Sequence, residues 1–370
     1  PSPRSFDGRS RDLALLREVA DPLTTITYGA WVSIAEADAI ALKIHDGDEV
    51  RITVGDWSAT VAAKKQAGLP AGVLAIQRDL LESAPSVANS AGETLALFEN
   101  ATLEKTGKTS PIPILSGLLA QKEAPAKQEG HHEENHDRKG NGFYPEPEYK
   151  EYHWSMAINL DACTGCSACV AACHIENNVP VSGREEHLKG RETSWIRMEP
   201  NYDERGLHFT PMLCQQCENA PCEAVCPALA TYHNPEGLNA QVYNRCVGTR
   251  YCANNCPYKV RRFNWYDYAW EGDLAKMHNP DVFVRGRGVM EKCTFCVQRI
   301  RAAKDTAKDE ERKVRDGEIV PACAQTCPAE AIVFGNILDP ESKVARLAAS
   351  GNATRVLEDL GTRPAVHYLA

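Results

Sequence analysis

The sequence predicts a mixed α+β protein with a β-rich N-terminal domain and a cysteine-rich C-terminal domain. Three observations support this prediction. All fifteen cysteines lie between residues 163 and 327, whereas residues 1–162 contain none. Residues 119–150 are polar, charged and interrupted by Pro and Gly, which is the composition of a linker. The 370 residues are enough for two domains, each with its own core.

The N-terminal domain is predicted from its hydrophobic patterning. Residues 50–55 and 57–65 alternate as paired strands do, and residues 72–78 form a further strand candidate. Residues 33–44 are predicted to form a short helix, with Ser33 as the cap of its first turn. The domain is therefore expected to be dominated by strands.

In the C-terminal domain, a short strand candidate flanks each group of cysteines. These candidates are residues 153–160, 207–213, 239–244 and 331–337. The pattern is an internal repeat of strand, cysteine loop and short helix. Residues 297–320 are charged and helix-prone, and we predict that they form a solvent-facing insertion.

The overall composition excludes some classes of protein. The net charge of −9 and the pI near 5.7 disfavour a general nucleic-acid-binding protein, which is usually basic. The basic and aromatic residues at 259–268 directly follow Cys256 and Pro257, so we interpret them as packing around a metal centre or docking on a partner. No apolar run approaches the length of a membrane span, and no signal peptide is visible. Because the sequence starts with Pro, we expect a processed or partial product.

The cysteines fall into four groups with short, repeated spacings. In chain order the groups are Cys163, Cys166, Cys169 and Cys173; Cys214, Cys217, Cys222 and Cys226; Cys246, Cys252 and Cys256; and Cys293, Cys296, Cys323 and Cys327. The first group has the C-x2-C-x2-C-x3-C spacing of bacterial ferredoxins, in which the fourth cysteine crosses to a neighbouring cluster. Iron–sulfur clusters select soft thiolate ligands. The spacing therefore predicts four iron–sulfur clusters.

Structural zinc and disulfides are the alternatives for so many cysteines. Zinc sites use two pairs of ligands separated by roughly a dozen residues or more, whereas here the ligands come in threes with a crossing fourth. A disulfide framework is typical of small secreted domains, and this chain is not small. A zinc-stabilised scaffold protein is the competing interpretation from another class. It predicts a colourless protein that contains zinc and no acid-labile sulfide.

Thr249 lies where the third group needs an inner cysteine. The motif runs from Cys246 through Cys252 to Cys256 and lacks one member of its triple. A cluster with three thiolates can lose the iron that has no ligand, so we predict three [4Fe–4S] clusters and one [3Fe–4S] cluster. The alternative is a [4Fe–4S] cluster whose fourth iron binds the Thr249 oxygen or water. Loss of one thiolate also removes negative charge, which raises the reduction potential.

Four cysteine motifs in this order resemble the iron–sulfur subunits of the molybdopterin oxidoreductase superfamily, over about residues 152–340. The resemblance implies a double ferredoxin-like fold in which the first motif pairs with the fourth and the second with the third. The implied [4Fe–4S] ligand sets are Cys163, Cys166, Cys169 and Cys327; Cys173, Cys293, Cys296 and Cys323; and Cys214, Cys217, Cys222 and Cys256. The implied [3Fe–4S] set is Cys226, Cys246 and Cys252, with Thr249 at the vacant ligand position.

Three longer segments, 214–227, 246–265 and 279–300, resemble the B subunit of bacterial alternative complex III. Residues 31–52 resemble the last, β-barrel domain of molybdopterin enzymes. In that family the B subunit fuses a molybdoenzyme-like region to the ferredoxin region. The large preceding molybdopterin-like domains are not in this chain, so we expect no molybdenum cofactor. We also expect no haem, because no C-x-x-C-H motif occurs.

The residues and the resemblance together predict four regions. Residues 1–118 are expected to form a molybdopterin-dinucleotide-binding-like β-barrel domain, and residues 119–150 a polar linker. Residues 151–340 are expected to form the four-cluster ferredoxin-like domain, and residues 341–370 a C-terminal tail.

The resemblance also implies a role. It implies an electron-transfer subunit of a respiratory quinol-oxidising complex, with no substrate-turnover site of its own. The implied partners are an integral-membrane quinol-binding subunit of the polysulfide-reductase type and c-type cytochromes, on the periplasmic side of the bacterial inner membrane. The competing interpretation is the iron–sulfur subunit of a molybdopterin-dependent reductase or dehydrogenase, which usually carries its catalytic domain on a separate chain.

Overall fold

A computed structural model describes residues 12–77, 87–88, 94–95, 98–115, 147–203, 206–268, 270 and 272–370. These residues belong to two compact units. Unit 1 is drawn from Pro1–Ser116, Val181–Glu192 and Glu204–Gly206, and unit 2 from Gly117–Pro180, Thr193–Asp203 and Leu207–Ala370. Most of the predicted linker, residues 119–146, lies outside the described residues.

The secondary structure is mixed, as predicted. The strands are β1 (Trp31–Ala35), β2 (Asp48–Val54), β3 (Trp57–Gln66), β4 (Leu74–Ile76), β5 (Val87–Ala88), β6 (Thr94–Leu95), β7 (Thr102–Thr109), β8 (Trp154–Asn159), β9 (Arg197–Asp203), β10 (Gly206–Met212), β11 (Thr231–His233), β12 (Asn239–Gln241), β13 (Arg262–Phe263), β14 (Met290–Glu291), β15 (Ile332–Asn336), β16 (Ala353–Thr354) and β17 (Val366–Leu369). The α-helices are α1 (Ala14–Glu18), α2 (Glu36–Ala41), α3 (Ala168–Glu176), α4 (Arg184–Leu188), α5 (Pro221–Ala224), α6 (Tyr251–Asn255), α7 (Val297–Asp309), α8 (Ala322–Thr326) and α9 (Lys343–Ala348).

Unit 1 is built on a five-stranded sheet with the strand order β4-β1-β3-β2-β7. Strand β1 runs parallel to β3, and the other neighbours are antiparallel. Val32, Ile34, Val50 and Ile52 are buried on this sheet and form much of its core. The sheet is open in the described residues, since no pairing joins its edge strands β4 and β7. The barrel expected for this region is therefore not closed in the part of the chain that the structure describes.

The predicted helix at 33–44 is shorter than expected. Ser33 lies inside β1 with its side chain buried, and α2 begins only at Glu36, without a side-chain cap. All five residues of β1 are buried: Val32 and Ile34 belong to one hydrophobic cluster and Trp31 to another. Tertiary burial therefore extends the strand over a serine that the local pattern assigns to a helix cap.

Unit 2 contains the four-stranded sheet β15-β8-β17-β16 and the two-stranded ladders β9/β10, β11/β12 and β13/β14. Strand β8 is antiparallel to β15 and parallel to β17. Residues 341–370, expected to be a tail, thus supply an inner strand of the sheet, in which Val366 and Tyr368 are completely buried. The pairing of β17 with β8 joins segments far apart in the sequence, so the local sequence pattern does not predict it.

The charged segment at 297–320 contains the thirteen-residue helix α7, of which only Ile300 and Ala307 are buried. The predicted helical and largely solvent-facing character of this segment is therefore confirmed. Among the described helices, none combines the length and the apolar composition that crossing a bilayer requires.

Candidate metal centres

In each cysteine motif, the residue directly before the second ligand position has a left-handed backbone conformation with a positive φ. In chain order these residues are Gly165 (φ 69°), Gln216 (φ 47°), Gly248 (φ 74°) and Phe295 (φ 56°). A positive φ is costly for a residue with a side chain and costs glycine nothing. The repeated conformation turns the chain so that successive thiols converge. The internal repeat predicted from the cysteine spacing thus has a physical basis in the backbone.

A substitution at Gly165 tests how much this loop conformation contributes to the stability of unit 2. A Cβ atom at this position would lie 2.6 Å or less from three ring carbons of Phe209, which is too close for any real contact. We expect Gly165→Ala to destabilise unit 2 by about 2–5 kcal/mol, from the left-handed backbone and the overpacking together. The measurement is the shift in the unfolding midpoint, with iron content recorded alongside.

Gly317→Ala is the matched control for that substitution. Gly317 also has a positive φ of 78°, but a Cβ there meets no atom of the described residues within 4 Å. We expect this control to lose only the backbone component, about 1–2 kcal/mol. Equal losses in the two variants would contradict a steric role for Phe209.

The first set of thiols gathers around Cys169. Burial and the neighbouring thiols of Cys163, Cys166 and Cys327 raise the pKa of Cys169 to about 12. Cys327 comes from the far end of the cysteine-rich region, at the end of α8. The structure therefore brings together the four cysteines that the family resemblance groups in one set.

The second set gathers around Cys173. Burial, then the thiols of Cys293, Cys296 and Cys323, raise the pKa of Cys173 well above its ordinary value. The Asn177 side-chain amide donates to the Cys173 sulfur at 3.5 Å. Backbone N–H groups also point at this set: that of Phe295 donates to Cys293 Sγ at 3.5 Å. These four thiols correspond to the second predicted set.

The third set lines a small cavity. Its thiols belong to Cys214, Cys217, Cys222 and Cys256, and burial, then the other three thiols, raise the pKa of Cys217 well above its ordinary value. Burial also raises the pKa of Cys222, to about 11, although the nearby Arg261 opposes this effect. This cavity joins the second motif to the third, as the resemblance implies.

The fourth set lines a separate small cavity. Cys226, Cys246, Cys252 and Thr249 all contribute to its wall. The Met290 backbone N–H donates to Cys246 Sγ at 3.4 Å. Thr249 therefore lies in the wall of the cavity shared by three thiols, where the sequence predicts a missing ligand.

Cys226 differs electrostatically from the buried thiols of the other sets. Burial alone would raise its pKa, but backbone N–H groups of residues 228, 230 and 231 and the charge of Arg261 lower it below the ordinary value. The Ala230 N–H donates to the sulfur at 3.2 Å. The site thus already stabilises a thiolate at this position.

The chemistry of the donor set fits iron–sulfur clusters. All fifteen cysteines are free thiols, so no disulfide competes for them. Most are buried with raised pKa values, and such thiols lose their protons only when a cationic group binds among them. The thiolate ligands of such clusters usually accept hydrogen bonds from nearby N–H groups. In the part of the chain that the structure describes, no three His, Cys, Asp or Glu side chains lie close enough to hold a single metal ion.

Three buried polar residues around the thiols were missed by sequence reasoning. They are Asn177, Arg261 and Lys292. Arg261 lies within the basic and aromatic stretch at 259–268, which the sequence analysis interprets either as packing around a metal centre or as docking on a partner. Its individual contacts depend on residues brought from β12 and α5, so no local signal singles it out.

Two family models match the cysteine-rich region. Both describe a 4Fe-4S dicluster domain, one over residues 156–230 and the other over residues 206–272. Together with the convergent thiols, these matches define the protein as a ferredoxin-type iron–sulfur protein.

Curated relatives define its family more closely. The chain is 45% identical over 234 residues to the iron-sulfur cluster-binding subunit of a menaquinone reductase from Nitratidesulfovibrio vulgaris, which covers 60% of this chain and 91% of that protein. It is 35% identical over 248 residues to the Hdr-like menaquinol oxidoreductase iron-sulfur subunit 1 of Archaeoglobus fulgidus, with 60% and 86% covered. It is 34% identical over 213 residues to the B chain of polysulfide reductase from Wolinella succinogenes, with 57% and 91% covered. This protein belongs to the iron–sulfur subunits of complexes of the molybdopterin-oxidoreductase type.

Proposed function

We propose that this chain is the electron-transfer subunit of a respiratory quinol-oxidising complex of the alternative complex III type. One observation carries the electron-transfer role: the four thiol sets form a continuous series. The thiol of Cys169 in the first set lies near Cys323 in the second, and Cys293 in the second lies near Cys214 in the third. Arg261 lines both the third cavity and the fourth. Sites so closely spaced suit the passage of electrons along the chain.

We propose the thiol sets as cluster ligands. Cys163, Cys166, Cys169 and Cys327; Cys173, Cys293, Cys296 and Cys323; and Cys214, Cys217, Cys222 and Cys256 hold [4Fe–4S] clusters. Cys226, Cys246 and Cys252 hold a [3Fe–4S] cluster, with Thr249 at the vacant ligand position. When bound, such clusters supply one-electron carriers. The protein contributes the thiolates, the N–H groups that point at them, and the buried cations beside them.

The proposed partners follow from the family resemblance. We propose an integral-membrane quinol-binding subunit of the polysulfide-reductase type on one side of the series and c-type cytochromes as acceptors. The names of two relatives, a menaquinone reductase subunit and a menaquinol oxidoreductase subunit, support a quinone-linked complex.

The proposed location is the periplasmic side of the bacterial inner membrane. The N-terminal region, with its resemblance to the last domain of molybdopterin enzymes, is proposed as a docking domain.

A second function is favoured by other relatives. The B chain of polysulfide reductase and the B subunit of a selenate reductase are 34% and 36% identical to this protein over the aligned residues. On this basis the chain could instead serve a molybdopterin-dependent reductase that carries its catalytic domain separately. Haem without molybdenum in the purified complex supports the quinol-oxidising proposal. Molybdenum without haem supports the second function.

The first experiment is an EPR spectrum of the oxidised, anaerobically purified protein, with iron and sulfide quantified. An oxidised [3Fe–4S] cluster has an odd number of electrons and gives a signal, whereas oxidised [4Fe–4S] clusters are silent. We expect one spin and about fifteen irons per chain. A silent spectrum with about sixteen irons would replace the [3Fe–4S] assignment by a [4Fe–4S] cluster with a non-cysteine ligand. A colourless protein with zinc and no sulfide would overturn the electron-transfer proposal.

A further inference from the structure

Arg261 lies between the two thiol-lined cavities of unit 2. Its side chain lines both the cavity with Cys222 and the cavity with Cys252. Only 5% of the residue is exposed, so its charge is removed from water. A buried charge acts more strongly on its surroundings than one at the surface, because the dielectric screening is weaker. The positive charge of Arg261 therefore acts on both neighbouring thiol sets.

Arg261 makes its described contacts with neutral or thiol groups. Its Nη1 donates to Cys222 Sγ at 3.4 Å and to Asn239 Oδ1 at 3.3 Å, and its Nη2 donates to Gln241 Oε1. Among the described residues, no carboxylate pairs with the guanidinium, and its buried Nε has no hydrogen-bond partner. A buried arginine normally has a carboxylate partner that balances its charge.

Arg285 shows what such a balanced arginine looks like in the same unit. Its guanidinium donates to both carboxylate oxygens of Glu291, at 2.8 and 2.9 Å. The charge of Arg285 is thereby largely compensated, whereas that of Arg261 is available to the thiolates around it. An arginine guanidinium does not lose its proton in proteins, so Arg261 is a fixed cation between the two thiol-lined cavities.

We propose that Arg261 is a positioning residue for electron transfer that raises the reduction potentials of both neighbouring clusters together. The proposal rests on the cluster assignment made above. Adding an electron to a cluster increases its negative charge, and a fixed cation beside it favours the reduced state. Because one guanidinium serves two sites, the two potentials move in the same direction. The charge of Arg261 therefore couples the potentials of the two carriers.

The test is an EPR redox titration of the Arg261→Gln variant in the full-length protein. We expect the midpoint potential of the [3Fe–4S] signal and that of one reduced-state [4Fe–4S] signal to fall together, while the other two fall less. Arg261→Lys keeps the charge and is expected to show less than half of either shift. Arg346→Gln removes the same charge from an exposed position on α9 and is expected to leave all four potentials unchanged.

Iron and sulfide contents separate this inference from the cluster assignment. Wild-type protein without clusters would overturn the proposed function and, with it, this inference. Full cluster content with unchanged potentials in Arg261→Gln would overturn this inference alone. Equal shifts in Arg261→Gln and Arg261→Lys would also overturn it, because they would show an effect of packing rather than charge.

A second variant keeps the test decisive if Arg261→Gln fails to assemble its clusters. Gln241→Glu leaves the arginine in place and sets a carboxylate against its Nη2. We expect both potentials to fall, because the added negative charge compensates the guanidinium. Unchanged potentials in Gln241→Glu with full iron content would overturn the inference.

Discussion

Replacing Thr249 with Cys is expected to abolish the EPR signal of the oxidised protein and to add one iron atom to each molecule. The reason is the backbone around this position. Gly248 and Arg250 have φ values of 74° and 61°, and the residues that flank Cys166 in the first motif have φ values of 69° and 61°. The helices α3 and α6 then begin directly after these left-handed residues. A cysteine at 249 is therefore carried by a loop already shaped for a ligand.

The cavity around residue 249 supports the same expectation. Thr249 lines it together with Cys226, Cys246 and Cys252, so a new thiol would face the same space as the other three. A complete set of four thiolates retains the fourth iron and gives a cluster that is silent when oxidised. The measurement is spin quantification with iron analysis before and after the substitution.

Thr249→Val is the control for that experiment. Valine has nearly the shape of threonine but offers no ligand atom, so the signal and the iron content should stay as in the wild type. A wild-type signal that persists undiminished in Thr249→Cys would contradict the assignment of this position. A signal lost in Thr249→Val as well would assign the effect to altered packing rather than to the new thiolate.

The local parts of this molecule could be predicted from the sequence. Strands β2 and β3 coincide closely with the alternating segments at 50–55 and 57–65, because two adjacent antiparallel strands need only a tight turn. The short strands β8 and β15 beside the cysteine groups were also predicted. The cysteines within each motif could be predicted to converge because their short spacing itself restricts the conformation of the loop that carries them.

The non-local parts could not be predicted. Strand β17 pairs in parallel with β8, which begins more than two hundred residues earlier, and parallel pairing leaves no turn signal to read. Residues 181–192 belong to unit 1 although the sequence places them between cysteine motifs. The contacts of the buried Arg261 could not be predicted for the same reason, since its neighbours come from separate elements. Sequence periodicity predicts local structure, but it does not show which distant segment packs against a given strand or helix.

Glu18 links residues 181–192 to the rest of unit 1, and Glu18→Gln is expected to destabilise this unit by about 3–5 kcal/mol. Its carboxylate is completely buried. It accepts hydrogen bonds from the backbone N–H groups of Ser182 and Gly183, both at 2.8 Å, and from His187 Nε2 at 2.7 Å. Removing the charge leaves these buried donors without their anion. The measurement is amide hydrogen exchange of β2 and β3, which should accelerate by about two orders of magnitude or more.

The stabilisation by Glu18 should also depend on pH in a defined direction. Burial alone would raise the pKa of Glu18, but the hydrogen bond and charge of His187, with further donors, lower it from 4.5 to about 2. A carboxyl whose pKa is lower in the folded state stabilises the fold above pH ~4.5 and loses that contribution as the pH falls towards 2. The full contribution, about 3 kcal/mol, is therefore expected at neutral pH.

Glu186→Gln provides the control within the same segment. The Glu186 carboxylate is itself mostly buried, but it accepts from Lys189 and Arg191, whose side chains are 50% and 26% exposed. Ion pairs with such solvent-exposed partners contribute about 1 kcal/mol or less. We expect its substitution to change the exchange of β2 and β3 little. Although burial opposes the shift, Lys189 and Arg191 lower the pKa of Glu186 as well, but the stability lost as the pH falls below 4.5 should be smaller than that lost with Glu18. If Glu18→Gln behaved like Glu186→Gln at neutral pH, the buried carboxylate would not be what ties residues 181–192 to the sheet. The cohesion of unit 1 would then come from its apolar core, with Val32 and Ile52 at its centre.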